Sequence, residues 1–297
     1  MQFSGTTQNL LGVWASSATD VFAVGEGGTI VHYDGDRWSV QASPTGAPLW
    51  GVWGSSPTNV FAVGGAGTIL HFDGTAWRAQ DGVPPSFLSG IWGASARDVF
   101  VVGSTESATP TAIILRYDGT AWSAETLAAT PHLFRVWGAS STSVIAVGVN
   151  GLVVRYSGLR WTREHDAGVL VYLRGVWGSS ANDVYAVGAV MDGLGGATSL
   201  VLHYDGARWA SLANPSMANL ALADVWGASS TDVFAAGFPA VGDGGPLQGA
   251  ILRYDGRRWR QEPAGAFGPL AAVWGRGGDV FAVGAAGVIV RGSPVDR

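Results

Sequence analysis

A segment of about 40 residues recurs seven times along this chain, and this repetition constrains the fold more than any other feature. The stretch LLGVWASSATDVFAVGEGGTIVHYDGDRW (10–38) returns as LWGVWGSSPTNVFAVGGAGTILHFDGTAW (49–77), and five further copies follow. A fixed period of this length indicates a repeat architecture, in which each unit buries its apolar face against the next. Each copy is marked by a tryptophan near its start: Trp14, Trp53, Trp92, Trp137, Trp177, Trp226 and Trp274.

Each copy has the pattern of short β-strands. In the second copy, the apolar runs at 60–63 and 68–72 are β-branched or aromatic and are bounded by Gly and Asp-Gly. No stretch of the chain has the sustained 3.6-residue periodicity of a helix. We therefore place four strands at roughly 49–54, 59–63, 67–72 and 76–80, which is the content of one propeller blade. The sequence predicts one all-β domain over 1–297, a seven-bladed β-propeller with four antiparallel strands per blade.

The two ends of the chain predict how the ring closes. The seventh copy stops after Val-Ile-Val-Arg (288–291), before a fourth strand, whereas residues 2–8 align with residues 71–77 of the second copy. We therefore expect an N-terminal strand to complete the last blade, which protects an edge that would otherwise be open. Thirteen of the fourteen tryptophans occupy two positions of the repeat, so we interpret them as packing between blades.

Composition and charge exclude several classes of protein. No apolar run approaches the roughly 18 residues that span a bilayer, so we expect no membrane insertion. The net charge of −5 argues against nucleic acid as a partner, because phosphates attract clustered Lys and Arg. The absence of cysteine excludes disulfides, thiolate zinc sites and cysteine nucleophiles.

The repeat separates a uniform face from a variable face. The turn between the first two strands of each unit keeps nearly the same sequence, as in GSSPTN, GASARD and GSSAND. On the opposite face, the connections between the second and third strands expand in blades three, five and six, at Ser104–Thr111, Ala189–Ser199 and Phe238–Gly249. Insertions on one face of a repeat protein usually mark the binding face, although free drift of exposed loops is the alternative.

Five residues on the variable face form the predicted ligand site. The position three residues before each marker tryptophan is not dictated by the repeat, and it holds Trp50, Phe134 and Arg174 in three of the blades. The next position holds Arg135 and Asp224 in two blades. Aromatic faces beside opposite charges suit a polar ligand with an apolar face, such as a sugar. Packing at the rim with an Arg–Asp pair is the alternative interpretation.

Histidines are the candidates for general acid–base chemistry. His32, His71 and His203 share a strand position that holds arginine in four other blades, which indicates a hydrogen-bonding position with the recurring aspartates as possible partners. His132 and His165 fall in connections on the variable face, and an enzyme at the channel mouth needs them to converge. No metal, nucleotide or nucleophile motif is present, so we expect no cofactor and no metal.

The unit W-G-S-S-x-x-D-V-F-A-V-G-x-x-G-x-I-x-H-Y-D-G-x-x-W resembles the Trp-rich propeller repeats of exported bacterial proteins of the myxobacterial type, over the entire chain. Val-Gly-x-x-Gly-Thr-Ile followed by Asp-Gly-x-x-Trp is also similar to tectonin-type lectin repeats and, more weakly, to photosystem-assembly-factor propellers. The first resemblance implies an exported or extracellular protein whose leader is absent from this chain. The second implies glycan binding.

The expected function is therefore a non-enzymatic recognition module. Its main form is a lectin that binds a glycan or small polar ligand through the variable face. The alternative is a protein–protein interaction scaffold that uses the long loops of blades three, five and six. An enzyme at the channel mouth is the third and least supported possibility.

Overall fold

The computed structural model describes residues 1–128, 130–193, 196–212, 220–239, 248–262, 267–276 and 278–292, and this part of the chain is built from β-strands. Blades 1 to 4 contain β1 (Leu10–Ser17), β2 (Asp20–Gly25), β3 (Ile30–Tyr33), β4 (Trp38–Val40), β5 (Leu49–Ser56), β6 (Asn59–Gly64), β7 (Ile69–Phe72), β8 (Trp77–Ala79), β9 (Ser86–Ser95), β10 (Asp98–Thr105), β11 (Ala112–Tyr117), β12 (Trp122–Leu127), β13 (Leu133–Ser140), β14 (Ser143–Gly148), β15 (Val153–Tyr156) and β16 (Trp161–His165).

The remaining strands form three further blades. Blades 5 to 7 contain β17 (Val171–Ser180), β18 (Asp183–Met191), β19 (Ala197–Tyr204), β20 (Trp209–Ser211), β21 (Leu220–Ser229), β22 (Asp232–Pro239), β23 (Ala250–Tyr254), β24 (Trp259–Gln261), β25 (Leu270–Arg276), β26 (Asp279–Gly284) and β27 (Ile289–Gly292). In blades 1, 2 and 7 a single 3₁₀ turn joins the second and third strands, at Glu26–Gly28, Gly65–Gly67 and Ala285–Gly287. No helix of the described residues is long and apolar enough to cross a bilayer.

Every blade is an antiparallel meander in which strands that follow each other along the chain pair with each other. The first strand of each blade is the inner one, and it packs against the inner strands of both neighbouring blades. Strand β1 contacts β25 as well as β5, so the ring is closed. The fold is therefore the predicted all-β seven-bladed propeller.

The N-terminal segment joins the last blade, as the sequence predicts. The Gln2 backbone N–H donates to the Ile289 carbonyl over 2.8 Å, and the two residues form an antiparallel bridge beside β27. The Trp38 indole N–H donates to Gln2 Oε1, also over 2.8 Å, so the same segment contacts blade 1. The pairing with β27 consists of one bridge, because the chain then bends into the turn around Ser4 and Thr6.

The repeated tryptophans pack between blades. The ring of Trp177 lies directly under Gly227 of the next blade, where a Cβ would come within 2.5 Å of the indole. The outer tryptophans meet the second strand of the preceding blade, as in the edge-to-face contact of Trp77 with Phe22 at a centroid distance of 5.9 Å. These contacts confirm the structural interpretation of the two tryptophan positions.

The recurring aspartates pair with the His or Arg of the third strand. The pairs have N···O distances of 2.6–3.0 Å and lie partly buried in five blades: Asp20–His32, Asp98–Arg116, Asp183–His203, Asp232–Arg253 and Asp279–Arg291. In blade 2, Asn59 replaces the aspartate and accepts a hydrogen bond from His71 over 2.6 Å. The predicted pairing is confirmed, and it occupies these histidines in the framework of the blades.

The described parts of the enlarged connections lie on one face. In blade 5 the insertion extends the hairpin, so that Val190 pairs with both Thr198 and Val171. In blade 3 the corresponding hairpin extends to Thr105, which pairs with Ser86 at the start of the inner strand. In blade 6, β22 extends to Pro239, and residues 240–247 of the predicted loop lie outside the described residues.

Candidate binding site at the channel mouth

A β-bulge in each inner strand places one side chain at the mouth of the central channel. In blade 4, for example, Leu133 pairs with Gly148 and Arg135 pairs with Val147, so Phe134 is left out of the ladder. A bulged residue is released from the pairing pattern and its side chain is re-aimed. The same register shift occurs in all seven blades, and the residues it releases are Leu11, Trp50, Ser89, Phe134, Arg174, Ala223 and Ala271.

All seven bulged residues line one cavity of about 390 Å³ on the variable face, which we call the cup. A volume of this size lies in the range of about 300–1,000 Å³ that is typical of ligand pockets. The released positions carry large side chains in blades 2, 4 and 5 and alanine in blades 6 and 7, so the cup is asymmetric. Its remaining lining residues are Phe87, His132, Arg135 and Phe238.

Two aromatic residues of the cup were not predicted from the sequence. Phe87 lies opposite Ser104 in the blade 3 sheet, and its ring centroid is 6.2 Å from that of Trp50. Phe238 lies opposite Ala221 near the end of β22, in the enlarged connection of blade 6. Both residues stand outside the regular repeat positions, so the only sequence signal was an aromatic residue in a variable connection.

Arg174 is the cation that faces the cup. Its guanidinium lies over the Phe134 ring, 5.2 Å from the centroid, which is a cation–π contact. Among the described residues, no carboxylate forms an ion pair with Arg174, and none of the residues that line the cup is acidic. The Arg174 side chain is exposed, yet partial desolvation by the surrounding residues, followed by the charge of Arg135, lowers its pKa from the ordinary value.

Arg135 and Asp224 form the floor of the cup. Arg135 Nε lies 3.5 Å from Asp224 Oδ1, and the two side chains are only 20% and 14% exposed. Arg135 Nη1 also donates to the Ser89 carbonyl over 2.9 Å, and the Val273 backbone N–H donates to Asp224 Oδ2 over 3.1 Å. The pair therefore connects blades 3, 4, 6 and 7 across the channel.

The floor pair has an electrostatic cost. Burial raises the pKa of Asp224, while the charge of Arg135 and the backbone donors at Val273 and Val225 oppose that rise. The two charges therefore depend on each other inside the channel. Four of the five predicted site residues line the cup itself, and Asp224 lies one layer deeper among the channel-lining residues. For Arg135 and Asp224, two of the five predicted residues, the structure therefore shows the Arg–Asp pair of the alternative interpretation.

His132 is held between two serines of blade 3. Its Nε2 lies 2.9 Å from Ser89 Oγ and its Nδ1 lies 2.8 Å from Ser104 Oγ, so both ring nitrogens are hydrogen-bonded. Burial, followed by the charge of Arg174, lowers the pKa of His132 to about 4. The imidazole is therefore neutral at pH 7, and it adds no positive charge to the cup.

The second histidine of the enzyme hypothesis lies elsewhere. His165 is at the end of the outer strand β16, opposite Val153, and it is not among the residues that line the cup. Its neighbour Glu164 contacts Arg155 and accepts a hydrogen bond from the Trp209 indole. No group of three possible metal ligands occurs within the described ranges. In the described part of the chain, the hydrogen-bond partners of His132 are two serine hydroxyls, and no acidic residue lines the cup.

The low pKa of His132 predicts a pH-dependent contribution to stability. A histidine that is harder to protonate when folded lowers stability as pH falls, because the unfolded chain gains its proton first. The pKa falls from 6.5 to about 4 on folding, which corresponds to at most about 3 kcal/mol between these pH values. Urea unfolding between pH 7.5 and 4.5 should therefore show a steeper loss of stability for the wild type than for His132→Asn. Parallel curves would contradict the prediction.

Comparison with known proteins gives the fold and no family. No family model and no curated protein matches the chain. Among solved structures, it is similar to YCF48 bound to a D1 peptide, with 17% identity, a TM-score of 0.69 and coverage of 98% of this chain and 93% of that one. YCF48 from Cyanidioschyzon merolae gives 15% identity, a TM-score of 0.70 and coverage of 98% and 97%.

A WD40 protein gives the same TM-score as the peptide-bound YCF48, at a lower identity. The WD40 repeats of RRP9 give 10% identity, a TM-score of 0.69 and coverage of 93% of this chain and 88% of that one. At these identities the likeness shows the seven-bladed propeller fold alone, since one fold serves many functions. The resemblance of the repeats to Trp-rich bacterial propellers or to tectonin-type lectins is not confirmed by these comparisons.

Proposed function

We propose that this protein is an interaction scaffold that binds a peptide segment of a partner protein in the cup. The observation that carries the proposal is the lining of the cup, which combines four aromatic side chains with the Arg174 guanidinium, a group that has no ion pair with a described residue. Such a lining suits a segment that inserts an apolar side chain, because apolar pockets with few polar groups bind by burial of surface. Similarity to a propeller bound to a peptide agrees with this proposal.

The hydrogen-bonding groups of the cup favour a peptide over a sugar. Ser89 and His132 hydrogen-bond with each other, and Arg135 is engaged by Asp224 and by the Ser89 carbonyl. A sugar carries a hydroxyl on almost every ring carbon, and each buried hydroxyl needs a partner. The polar groups of the cup are mostly committed within the protein, whereas its aromatic surface is open to an apolar side chain.

An apolar patch beside the cup extends the same face. Val169 and Leu170 precede β17 and are exposed, as is Val190 of the enlarged blade 5 hairpin. The hairpin is fixed to this segment, since the Met191 backbone N–H donates to the Leu170 carbonyl over 2.8 Å. Clustered exposed apolar side chains are typical of protein-binding surfaces. This patch supports the part of the proposal that assigns the enlarged connections to partner binding.

Glycan binding is the second candidate function. Trp50 and Phe134 both line the cup, and an aromatic face is the usual platform for the apolar side of a sugar ring. The resemblance of the repeats to tectonin-type lectins favours the same activity. The two candidates differ in what should occupy the aromatic surface, and a direct comparison separates them.

The test is selection from a random peptide library, with a glycan array probed in parallel by the same purified protein. Peptides selected on the wild type should bind Phe134→Ala at least tenfold more weakly, since truncating a central aromatic anchor typically costs more than about 1.4 kcal/mol. Phe3→Ala is the matched control, because Phe3 is 88% exposed and does not line the cup.

Three results decide between the candidates. Loss of peptide binding in Phe134→Ala with normal binding in Phe3→Ala supports the scaffold. Selected peptides that bind Phe134→Ala as tightly as the wild type overturn binding in the cup. Glycan binding that disappears in Phe134→Ala, without any peptide enrichment, replaces the scaffold by the lectin.

A further inference from the structure

The distribution of charge around the cup is opposite to that of the whole chain. The protein carries a net charge of −5, yet the charged side chains that line the cup are Arg135 and Arg174. His132 hydrogen-bonds through both ring nitrogens to serine hydroxyls, and it is neutral at pH 7. The cup is therefore a local positive site on an acidic protein, and its charge comes from two guanidinium groups.

Asp224 balances one of these two guanidinium groups. Arg135 lies 3.5 Å from the Asp224 carboxylate and donates to the Ser89 carbonyl, so both its charge and part of its donor capacity are used in the floor. The Arg174 guanidinium carbon lies over the Phe134 ring, and the side chain forms no ion pair with any described residue. Because the side chain is exposed and has no ion pair with a described residue, its N–H donors are available to a ligand.

Arg174 is exposed to solvent at the cup, so water solvates its guanidinium until a ligand supplies an anion. Guanidinium groups match carboxylates through two parallel N–H···O bonds, and such charge-assisted pairs are stronger than neutral hydrogen bonds. The aromatic rings of Trp50 and Phe134 lie in the same cavity, so apolar and anionic groups of one ligand would be bound close together. The cup combines an anion site with an apolar site.

We infer that the peptide bound in the cup presents a carboxylate to Arg174 and inserts a neighbouring apolar side chain among the aromatic residues. This inference rests on the proposed scaffold function and specifies its ligand. The carboxylate is either the side chain of Asp or Glu or the free C-terminus of the partner. Both sources offer the same chemistry to the guanidinium, and synthetic peptides separate them.

The experiment uses carboxylate-bearing peptides recovered from the library, each made in three versions. One version has a free C-terminus and its acidic side chains, the second has an amidated C-terminus, and the third has Asn or Gln in place of Asp or Glu. Fluorescence anisotropy with a terminally labelled peptide gives the dissociation constant for wild type, Arg174→Gln and Arg97→Gln. Arg97 is the matched control, because it is an exposed arginine in the uniform turn of blade 3 on the opposite face.

We expect Arg174→Gln to bind the carboxylate peptide about 10- to 100-fold more weakly than the wild type does. Arg97→Gln should bind it with an affinity within twofold of the wild type. The neutral version of the peptide that removes the contacting carboxylate should bind wild type and Arg174→Gln equally, which identifies the source of the anion. Equal thermal midpoints of the two variants show that the loss is not unfolding.

The outcomes separate this inference from the proposed function. If peptides bind in the cup and their affinity falls less than twofold in Arg174→Gln, the carboxylate contact with Arg174 is wrong. The proposed scaffold function is unaffected by that result. Absence of peptide binding, with acidic glycans bound and then lost in Arg174→Gln, overturns both the scaffold and the peptide ligand. Equal weakening by Arg97→Gln also overturns the inference, because it shows a general charge effect.

Discussion

Replacement of Asp224 by alanine is expected to lower the free energy of unfolding by about 3–5 kcal/mol, because it leaves a buried guanidinium without its anion. Asp224 and Arg135 are 14% and 20% exposed, and they are 3.5 Å apart in a channel enclosed by the inner strands. The alanine variant also removes the acceptor of the Val273 backbone N–H, a link to blade 7. Urea unfolding at pH 7 measures the loss.

Two further variants give the Asp224 prediction its control. Arg78→Gln breaks the ion pair with Asp73, whose partners are 2.6 Å apart and exposed, and it should cost less than about 1 kcal/mol. The double variant Arg135→Met with Asp224→Leu removes both buried charges, so it should be more stable than Asp224→Ala alone. A loss below about 1 kcal/mol for Asp224→Ala would show that water in the channel already solvates Arg135.

Gly148→Ala is the second substitution with a large expected effect. Gly148 ends the Val-Ile-Ala-Val-Gly run of blade 4 and lies opposite Leu133, next to the bulge that releases Phe134. A Cβ built at Gly148 collides with the carbonyl oxygen of His132. The clash involves backbone and cannot be relieved by rotating a side chain, so we expect a destabilisation of at least about 3 kcal/mol.

Gly46→Ala is the control for Gly148→Ala. Gly46 lies in a surface connection where an added Cβ meets no atom within 4 Å. Alanine there should leave stability unchanged or raise it by up to about 1 kcal/mol, because it restricts the unfolded chain. If Gly148→Ala unfolds at the same urea concentration as the wild type, the close approach of the two strands is not a requirement of the bulge.

The Gly148 contact also explains a feature of the repeat that the sequence showed without a reason. The same glycine recurs in the second strand of every blade, for example at Gly25 and Gly188, and a Cβ at each meets a backbone carbonyl at or just before the start of the inner strand. The glycine therefore makes room for the bulge, and the bulge supplies the cup with one side chain per blade. The repeated glycine is thus a precondition for the cup, whose lining residues differ from blade to blade.

Several predictions from the sequence concerned the framework, and these are confirmed. They include the seven blades, the closure at Gln2, the tryptophan packing and the pairing of aspartates with the His or Arg position. The reason is physical, because alternation and turn residues act over a few neighbouring positions. The ligand contacts of Trp50, Phe134, Arg135, Arg174 and Asp224 and the export of the protein stay predictions.

The sequence by itself determined how the blades are built and which face carries the variable residues, since each copy holds its own strand and turn signals. Only the tertiary structure decided that Arg135 of blade 4 reaches Asp224 of blade 6, while Arg174 has no ion pair with any described residue. Spacing along the chain does not show which side chains face each other across the channel. The curvature of the ring fixes that distance, and the glycine at position 175 of the intervening blade has no side chain to stand between the two charges.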